Sequence, residues 1–234
     1  MNVNENGLPV ISHSTGKVDL FDPGYTDHRI QLKRIRYAYS KRLFDISFSI
    51  VLLLLAAPVF ALVALGIKLT SRGPVLFKQV RVGRGGKHFV FYKFRSMCVD
   101  AEQMRQQLEH LNEADGPVFK IAHDPRITRF GAYIRKYSLD ELPQFINIVK
   151  GDMSIVGPRP PLPCEVGLYS ETHLQRLAIR PGLTCFWQIR GRNNIRFEQW
   201  MELDMEYIET MSFWQDLKII LLTIPAVLTG SGAH

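Results

Sequence analysis

The chain has 234 residues, which is enough to bury a core in one domain or in one domain with an appendage. Its three cysteines show no Cys-x-x-Cys spacing, which argues against a disulfide framework or a zinc site and suits a reducing cytoplasm. The net charge of +7 fits a nucleic-acid binder about as well as a membrane protein, so the distribution of the charge has to separate the two.

The positive charge is concentrated in one part of the chain. Thirteen basic residues and one acidic residue lie from Lys33 to Arg95, a net charge of +12, and the rest of the chain carries −5. These residues flank the uncharged apolar run Ile46 to Ile67 on both sides. Basic flanks around lipid-compatible sequence favour a membrane surface. A nucleic-acid-binding module with a membrane tether is the alternative, although no RNP or helix-turn-helix pattern accompanies the charge.

Residues 1 to 40 predict a flexible, basic N-terminal arm. Its first 27 residues are polar and rich in Asn, Gly and Ser. They lack the basic-then-apolar layout of a signal peptide, so we do not expect cleavage there.

The run Ile46 to Ile67 is 22 residues long and, as a straight helix, would measure about 33 Å, enough for a hydrocarbon core of roughly 30 Å. A single spanning helix is therefore one interpretation. Two features favour a re-entrant segment over residues 41 to 72: both flanks are basic, as cytoplasmic flanks are, and Pro58 breaks the helix near its middle. A core helix of a soluble protein is a third interpretation, disfavoured because the flanking charges lack acidic partners.

After the apolar run, Val75 to Val82 and His88 to Phe94 are typical of strands. The glycine-rich segment between them lacks the GxxxxGK spacing of a phosphate loop, and no helix follows it. We therefore predict a β-hairpin, closed by a turn over Gly83 to Lys87.

The remaining sequence alternates short helices with Gly- and Pro-rich loops. Asp100 to Glu113 predicts a polar surface helix, and Ile219 to Leu228, preceded by Trp214, predicts either an interfacial or a core helix. The expected fold class is α+β: a mostly helical, membrane-associated domain with a small β-hairpin, a re-entrant membrane helix and interfacial amphipathic helices.

Asp140 and Glu141 place two adjacent carboxylates at an expected helix start. Ser138 and Glu141 have the spacing of a capping box, which is the structural interpretation. In the functional interpretation, Asp140 lies at the positive end of a helix dipole, where phosphate binds, and acts as a metal ligand or as a nucleophile toward an activated phosphorus.

Arginines around the acid pair favour the functional interpretation. Arg135 is one of four basic residues between positions 126 and 136, and Arg159 lies on a stiff loop with one glycine and three prolines. Arg180 stands before a second Pro-Gly pair. Because guanidinium groups bind phosphate oxygens through two parallel hydrogen bonds, these residues predict a diphosphate site, which would normally bring Mg²⁺ to the carboxylates.

The sequence resembles the bacterial sugar transferases, the monotopic phosphoglycosyl transferases that begin exopolysaccharide and glycan assembly. The resemblance runs from about Lys41 to Leu222. Its motifs are Lys41 to Asp45, Ser71 to Phe77, Tyr92 to Met97, Asp124 to Arg129, Ser138 to Gln144, Gly151 to Pro160, Arg180 to Thr184, Gly191 to Asn193 and Asp216 to Lys218.

The resemblance implies a Mg²⁺-dependent enzyme at the bacterial inner membrane, with residues 73 to 234 as a catalytic domain on the cytoplasmic face. It would transfer a phosphosugar from a UDP-sugar to undecaprenyl phosphate. The matching Asp140 would form a covalent phosphosugar-aspartate and release UMP, and Glu141 would support Asp140 and the metal.

The same resemblance assigns further contacts. Arg135, Arg159 and Arg180 would bind phosphate, and Lys93 or Arg95 would face the anionic lipid head. Membrane phospholipid is a further expected partner and nucleic acid is not. A homodimer remains open, because the sequence offers no clear oligomer seam.

The chain departs from the family pattern in two places. Ala57 precedes Pro58 where many members have Ser, and Cys185-Phe186-Trp187 stands where Gly-Trp-Ala is usual. The second departure would alter substrate preference if that segment contacts the nucleotide or the sugar. An inactive scaffold for glycan enzymes is a further interpretation, which the intact acid pair and its arginines argue against.

Overall fold

A computed structural model describes residues 28–190 and 195–228 of the chain. The helices over these residues are α1 His28–Leu55, α2 Ala57–Thr70, α3 Ala101–Met104, α4 Arg129–Lys136, α5 Gln144–Lys150, α6 Pro163–Val166, α7 Glu171–Leu174, α8 Phe186–Arg190, α9 Phe197–Thr210 and α10 Phe213–Leu228. The strands are β1 Leu76–Val82, β2 His88–Phe94, β3 Ser154–Val156 and β4 Gly182–Thr184. The α+β class with a mostly helical chain is confirmed.

The apolar run forms two helices that meet at a bend. The axes of α1 and α2 differ by 61°, with Ala56 at the break. Pro58 lies in the first turn of α2, where its missing N–H costs no helical hydrogen bond. No single helix among the described residues is long and apolar enough to cross a membrane, whereas this bent pair passes by length and composition. The break predicted near Pro58 is confirmed, and the membrane placement stays a prediction.

Helix α1 is fastened to the rest of the fold by its charged residues. The Lys41 ammonium lies 2.7 Å from the Asp216 carboxylate on α10. Arg42 donates to two main-chain carbonyls in the last turn of α5, at 2.7 and 3.0 Å. Asp45 accepts from the Ser154 hydroxyl at 2.7 Å and from the next main-chain N–H at 3.1 Å. The expectation that the flanking charges lack acidic partners is therefore wrong at Lys41, whose partner is 175 residues away.

Apolar side chains are exposed on the outer surfaces of α1, α2 and α10. Val63 and Ile67 of α2 face the core, while Leu62, Leu65 and Leu69 of the same helix are exposed. On α10, the apolar residue Ile219 is buried, and five large apolar side chains are exposed, namely Phe213, Trp214, Leu221, Leu222 and Ile224. The helix thus has both a core face and an exposed apolar face, so the two interpretations offered for it are not exclusive.

Strands β1 and β2 form the predicted antiparallel hairpin, with Leu76 opposite Phe94 and Val82 opposite His88. Gly85 and Gly86 close it with φ values of 65° and 78°, a left-handed region that glycine reaches without strain. A second pair, β3 with β4, is parallel and was not predicted. The predicted surface helix is also shorter than expected, because α3 ends at Met104 and a 3₁₀ segment follows.

Two hydrophobic clusters hold these elements together. The larger one includes Phe145 and Ile148 of α5, and the smaller one joins Ile67 of α2 to Phe94 of β2 and Ile134 of α4. The turn between α4 and α5 therefore lies beside β2, and this turn carries the acid pair.

Candidate active site

The acid pair lies on a 3₁₀ turn, Leu139–Glu141, that precedes α5. Ser138 adopts a left-handed conformation with φ 53° and makes no side-chain capping bond, so the capping-box interpretation is wrong. Helix α5 begins at Gln144, one residue after Pro143, and Asp140 therefore lies one turn before the helix. Asp140 was expected at the positive end of a helix dipole. In the structure its carboxylate is held by Lys93 instead.

A lysine on β2 joins the two carboxylates. Lys93 Nζ lies 2.9 Å from Asp140 Oδ2 and 3.2 Å from Glu141 Oε1. The Asp140 side chain is 3% exposed, and that of Glu141 is 30% exposed. One carboxylate is thus sealed inside the fold while its neighbour remains open to solvent.

The electrostatic state of Asp140 follows from this burial. Loss of hydration raises the pKa of Asp140 above its ordinary value, because burial disfavours the charged form. The Lys93 ammonium opposes the rise, the Glu141 carboxylate adds to it, and Arg135 opposes it. Lys93 is therefore the main group that favours an ionised Asp140.

Arg135 reaches the site because α4 packs closely on the end of the hairpin. The Thr128 hydroxyl caps α4 by accepting from the Gly131 N–H at 2.9 Å. A Cβ at Gly131 would lie 1.9 Å from the Ser96 carbonyl, so the helix and the residues after β2 touch through their backbones. This close contact brings Arg135, in the last turn of α4, within electrostatic range of Asp140.

Arg159 lies on a loop whose backbone is held from two sides. The Arg159 carbonyl accepts from Arg176 at 3.1 Å, and the Pro160 carbonyl accepts from the buried Arg81 at 3.0 Å. The Arg159 guanidinium lies over the Trp200 ring, 5.7 Å from its centroid. The sequence motifs did not predict the roles of Arg81 and Arg176, because their contacts depend on loops that only the folded chain brings together.

Arg180 and Arg95 bind main-chain carbonyls. Arg180 donates to the Gly151 carbonyl at 3.1 Å, just past the end of α5. Arg95 is 6% exposed and donates to the carbonyls of Ser71 and Arg72 at the end of α2. The structure thus places Lys93 and Arg135 at the acid pair, Arg159 over Trp200, and Arg95 and Arg180 at helix ends.

The unusual Cys185 is fully buried in the larger hydrophobic cluster, and its thiol interacts with the Asp204 carboxyl. The Cys185 substitution is therefore accommodated in the core. The motif Gly191 to Asn193 lies outside the described residues.

The donor set at the acid pair suits Mg²⁺. No three His, Cys, Asp or Glu side chains in residues 28–190 and 195–228 gather closely enough to hold a metal by themselves. Asp140 and Glu141 nevertheless share one cation already, the Lys93 ammonium. Mg²⁺ in phosphate-transfer sites is commonly held by one or two carboxylates, with the other ligands from water and substrate phosphates, and these residues fit that pattern.

The site contains a buried carboxylate beside a second acid, a lysine and an arginine, a set of groups that suits chemistry on phosphate. The model of the bacterial sugar transferase family matches residues 36 to 230, and the chain belongs to that family. Members of the family are sugar-phosphate transferases.

Similar proteins include enzymes of polysaccharide assembly. The galactosyl transferase CpsE of Streptococcus agalactiae is 45% identical over 100% of this chain and 52% of its own length. The undecaprenyl-phosphate galactose phosphotransferase of Salmonella typhimurium is 38% identical over 88% of this chain and 46% of its own length. The exopolysaccharide production protein ExoY of Rhizobium meliloti is 39% identical over 83% of this chain and 88% of its own length. The chain thus spans about half the length of the first two and most of the third.

Proposed function

We propose that the chain transfers a phosphosugar from a UDP-sugar to undecaprenyl phosphate, giving a polyprenyl-diphosphate sugar and UMP. The observation that carries the proposal is the buried Asp140 carboxylate, held between Lys93 and Glu141. The name of the Salmonella relative supports both the lipid acceptor and the transfer of a phosphosugar.

In the first step, an Asp140 oxygen attacks the phosphorus that bears the sugar. A bond forms between that oxygen and the phosphorus, and the bond from the phosphorus to the bridging diphosphate oxygen breaks. UMP leaves with the electron pair on that oxygen. Because Asp140 is 2% exposed, its site excludes much of the water that would hydrolyse the phosphosugar-aspartate.

In the second step, a phosphate oxygen of the lipid attacks the same phosphorus. The bond between the phosphorus and Asp140 breaks, and the carboxylate returns to its starting state. Splitting the transfer into two displacements lets the soluble donor leave before the lipid acceptor reacts.

The neighbouring residues supply charge. Lys93 favours an ionised Asp140, which a nucleophile requires, and Arg135 and Arg159 offer guanidinium groups to substrate phosphates. Glu141 and Asp140 would hold Mg²⁺, which would neutralise charge on the diphosphate. Arg95 and Arg180 support the site indirectly, by holding the ends of α2 and α5.

The bent pair α1–α2 and the exposed apolar face of α10 support a location at a membrane, and we propose that this is the cytoplasmic face of the inner membrane. Their exposed leucines would enter the lipid, and the basic residues beside them would meet phospholipid headgroups. In this proposal, the acid pair would work at the membrane surface, where the lipid phosphate is present.

A UMP-release assay tests the proposal. Purified chain is incubated with Mg²⁺, undecaprenyl phosphate and a panel of UDP-sugars that begins with UDP-galactose and UDP-glucose. We expect UMP in step with lipid product for at least one sugar, and a loss of roughly 10⁴-fold with Asp140→Asn. Lys87→Ala, in the exposed hairpin turn, is the control that should retain activity. Activity in Asp140→Asn, or no UMP with any sugar, would contradict the proposal.

A further inference from the structure

Asn147 on α5 is fully buried, and its side chain binds the backbone of β2. Its Nδ2 donates to the Val90 carbonyl at 2.6 Å, and its Oδ1 accepts from the Tyr92 N–H at 3.0 Å. These two groups belong to the edge of β2 that is turned away from β1. The amide therefore pairs with the strand as a residue of a third strand would.

The same residue closes the loop that follows α5. Its main-chain carbonyl accepts from the N–H groups of Gly151, Asp152 and Met153, at 3.1, 3.0 and 3.3 Å. Its Nδ2 also lies 3.2 Å from the Asp152 carboxylate. Both ends of the amide are thus satisfied, and the residue fixes the helix, the loop and the strand relative to one another.

The two elements that Asn147 joins carry the two halves of the acid site. Lys93 follows Tyr92 on β2, and Asp140 lies seven residues before Asn147, on the turn that leads into α5. We propose that Asn147 is a positioning residue, which sets the register between strand and helix so that the Lys93 ammonium meets both carboxylates. This inference rests on the proposed function, since it assigns Asn147 to the same site.

A small shift at this junction would matter for the reaction. The contacts of Lys93 with Asp140 and Glu141 are 2.9 and 3.2 Å, so a displacement of about 1 Å takes the ammonium out of hydrogen-bonding range. Misplacement of a reacting group by about 1 Å can cost on the order of 100-fold in rate. Apolar packing of α5 alone would not specify this register, because it is not directional.

Asn147→Ala tests the inference, with Asn112→Ala as a matched control. Asn112 also binds backbone through its amide, donating to the Val118 carbonyl at 3.2 Å and accepting from two N–H groups at 3.1 and 2.9 Å, but in a loop away from β2. Asn147→Gln is a second variant, which keeps an uncharged amide donor and acceptor but displaces them by one methylene.

Two measurements are made on each folded variant. Acetylation of Lys93 by a soluble acylating reagent, followed by peptide mass spectrometry, reports whether the ammonium still contacts the carboxylates. We expect it to be on the order of tenfold faster in Asn147→Ala, as for the loss of about 1.4 kcal/mol, and unchanged in Asn112→Ala. In UMP release, kcat should fall roughly 10- to 100-fold while KM for the UDP-sugar stays nearly constant.

The outcomes separate the two proposals. Unchanged Lys93 acetylation in folded Asn147→Ala, or in Asn147→Gln if the alanine variant does not fold, overturns the positioning role. An equal rise in Asn112→Ala also overturns it, because the effect would then be general loosening. Wild-type chain that releases no UMP defeats the proposed function, yet the acetylation result still decides the role of Asn147.

Discussion

The Asp140 carboxylate is unfavourable for folding in its ionised form. Burial raises its pKa above the unfolded value, so the native state binds the proton more readily than the unfolded chain does. Its contribution to stability is therefore present in full below the unfolded pKa and is lost as pH rises through the native pKa. The proposed chemistry requires the ionised form of Asp140, and this form lowers the free energy of unfolding.

Asp140→Asn should consequently stabilise the chain at neutral pH. We expect a melting temperature above that of wild type at pH 7, because the substitution removes the cost of burying an ionised carboxylate. The gain should disappear well below the unfolded pKa of about 3.9, where Asp140 is protonated in both states, and grow with pH until the native pKa is passed. Thermal unfolding at several pH values measures it. A melting temperature below that of wild type at pH 7 would contradict the argument, and Glu141→Gln, at the more exposed acid, should gain less.

Part of the acid site follows from sequence at the residue scale. The family resemblance gave the chemistry to Asp140 and Glu141, a phosphate contact to Arg135 and a lipid-head contact to Lys93 or Arg95. The structure brings Lys93 and Arg135 to the acid pair, whereas Arg95 binds the end of α2. The conformation of Ser138 was not predictable, since only glycine normally signals a positive φ.

The buried ion pair between Arg176 and Asp204 joins a 3₁₀ turn to α9. Its side chains are 2% and 0% exposed, and the Arg176 Nη2 lies 2.5 Å from the Asp204 carboxylate. Arg176 also donates to the Arg159 carbonyl, so this pair underlies the loop that presents Arg159. Removing one partner would leave the other charge buried and uncompensated.

Asp204→Ala should therefore cost about 3–5 kcal/mol of unfolding free energy. Arg190→Ala supplies the comparison. Its ion pair with Glu206 has a similar nitrogen–oxygen distance of 2.6 Å, but the two side chains are 46% and 41% exposed. That variant should cost less than about 1 kcal/mol. Denaturant unfolding of both variants measures the difference, and similar losses in the two would contradict this assignment.

Elements differed in how well the sequence specified them. The hairpin was predictable because β-branched and aromatic residues fill two seven-residue strands around a glycine-rich turn. Strands β3 and β4 have three residues each and pair in parallel across a long connection, so no local sequence pattern predicts them. The bend at Ala56 was foreseen because Pro58 cannot continue a straight helix.

At the scale of the whole molecule, fewer basic residues are available to contact lipid than their number in the sequence suggests. Arg81 and Arg95 are buried, Lys41 pairs with Asp216, and Arg42 binds the end of α5. Arg36, Lys68 and Arg72 are exposed beside the apolar helices. The sequence gives the formal charge, whereas the fold shows which basic side chains are already bound to other groups of the protein.

Exposed positions at the two ends of the bent pair test its topology. We expect Arg36→Cys and Arg72→Cys, introduced with Cys164→Ser, to react with a water-soluble thiol reagent from the same face of membrane vesicles. Leu55→Cys, beside the bend, is 75% exposed in the protein and should be shielded by lipid. Labelling of the two ends from opposite faces would contradict the re-entrant placement.

The attachment of α1 to the domain has a geometric consequence. Lys41, Arg42 and Asp45 fasten one short stretch of α1 to α10, α5 and β3, so the helix and the acid pair move as one body. In a bilayer, the depth to which the bent pair sinks would then set the height of Asp140 above the headgroups. Adding one turn to α1 after Asp45 would therefore change the distance between the tip of the bent pair and Asp140, and with it the height of Asp140 above the headgroups.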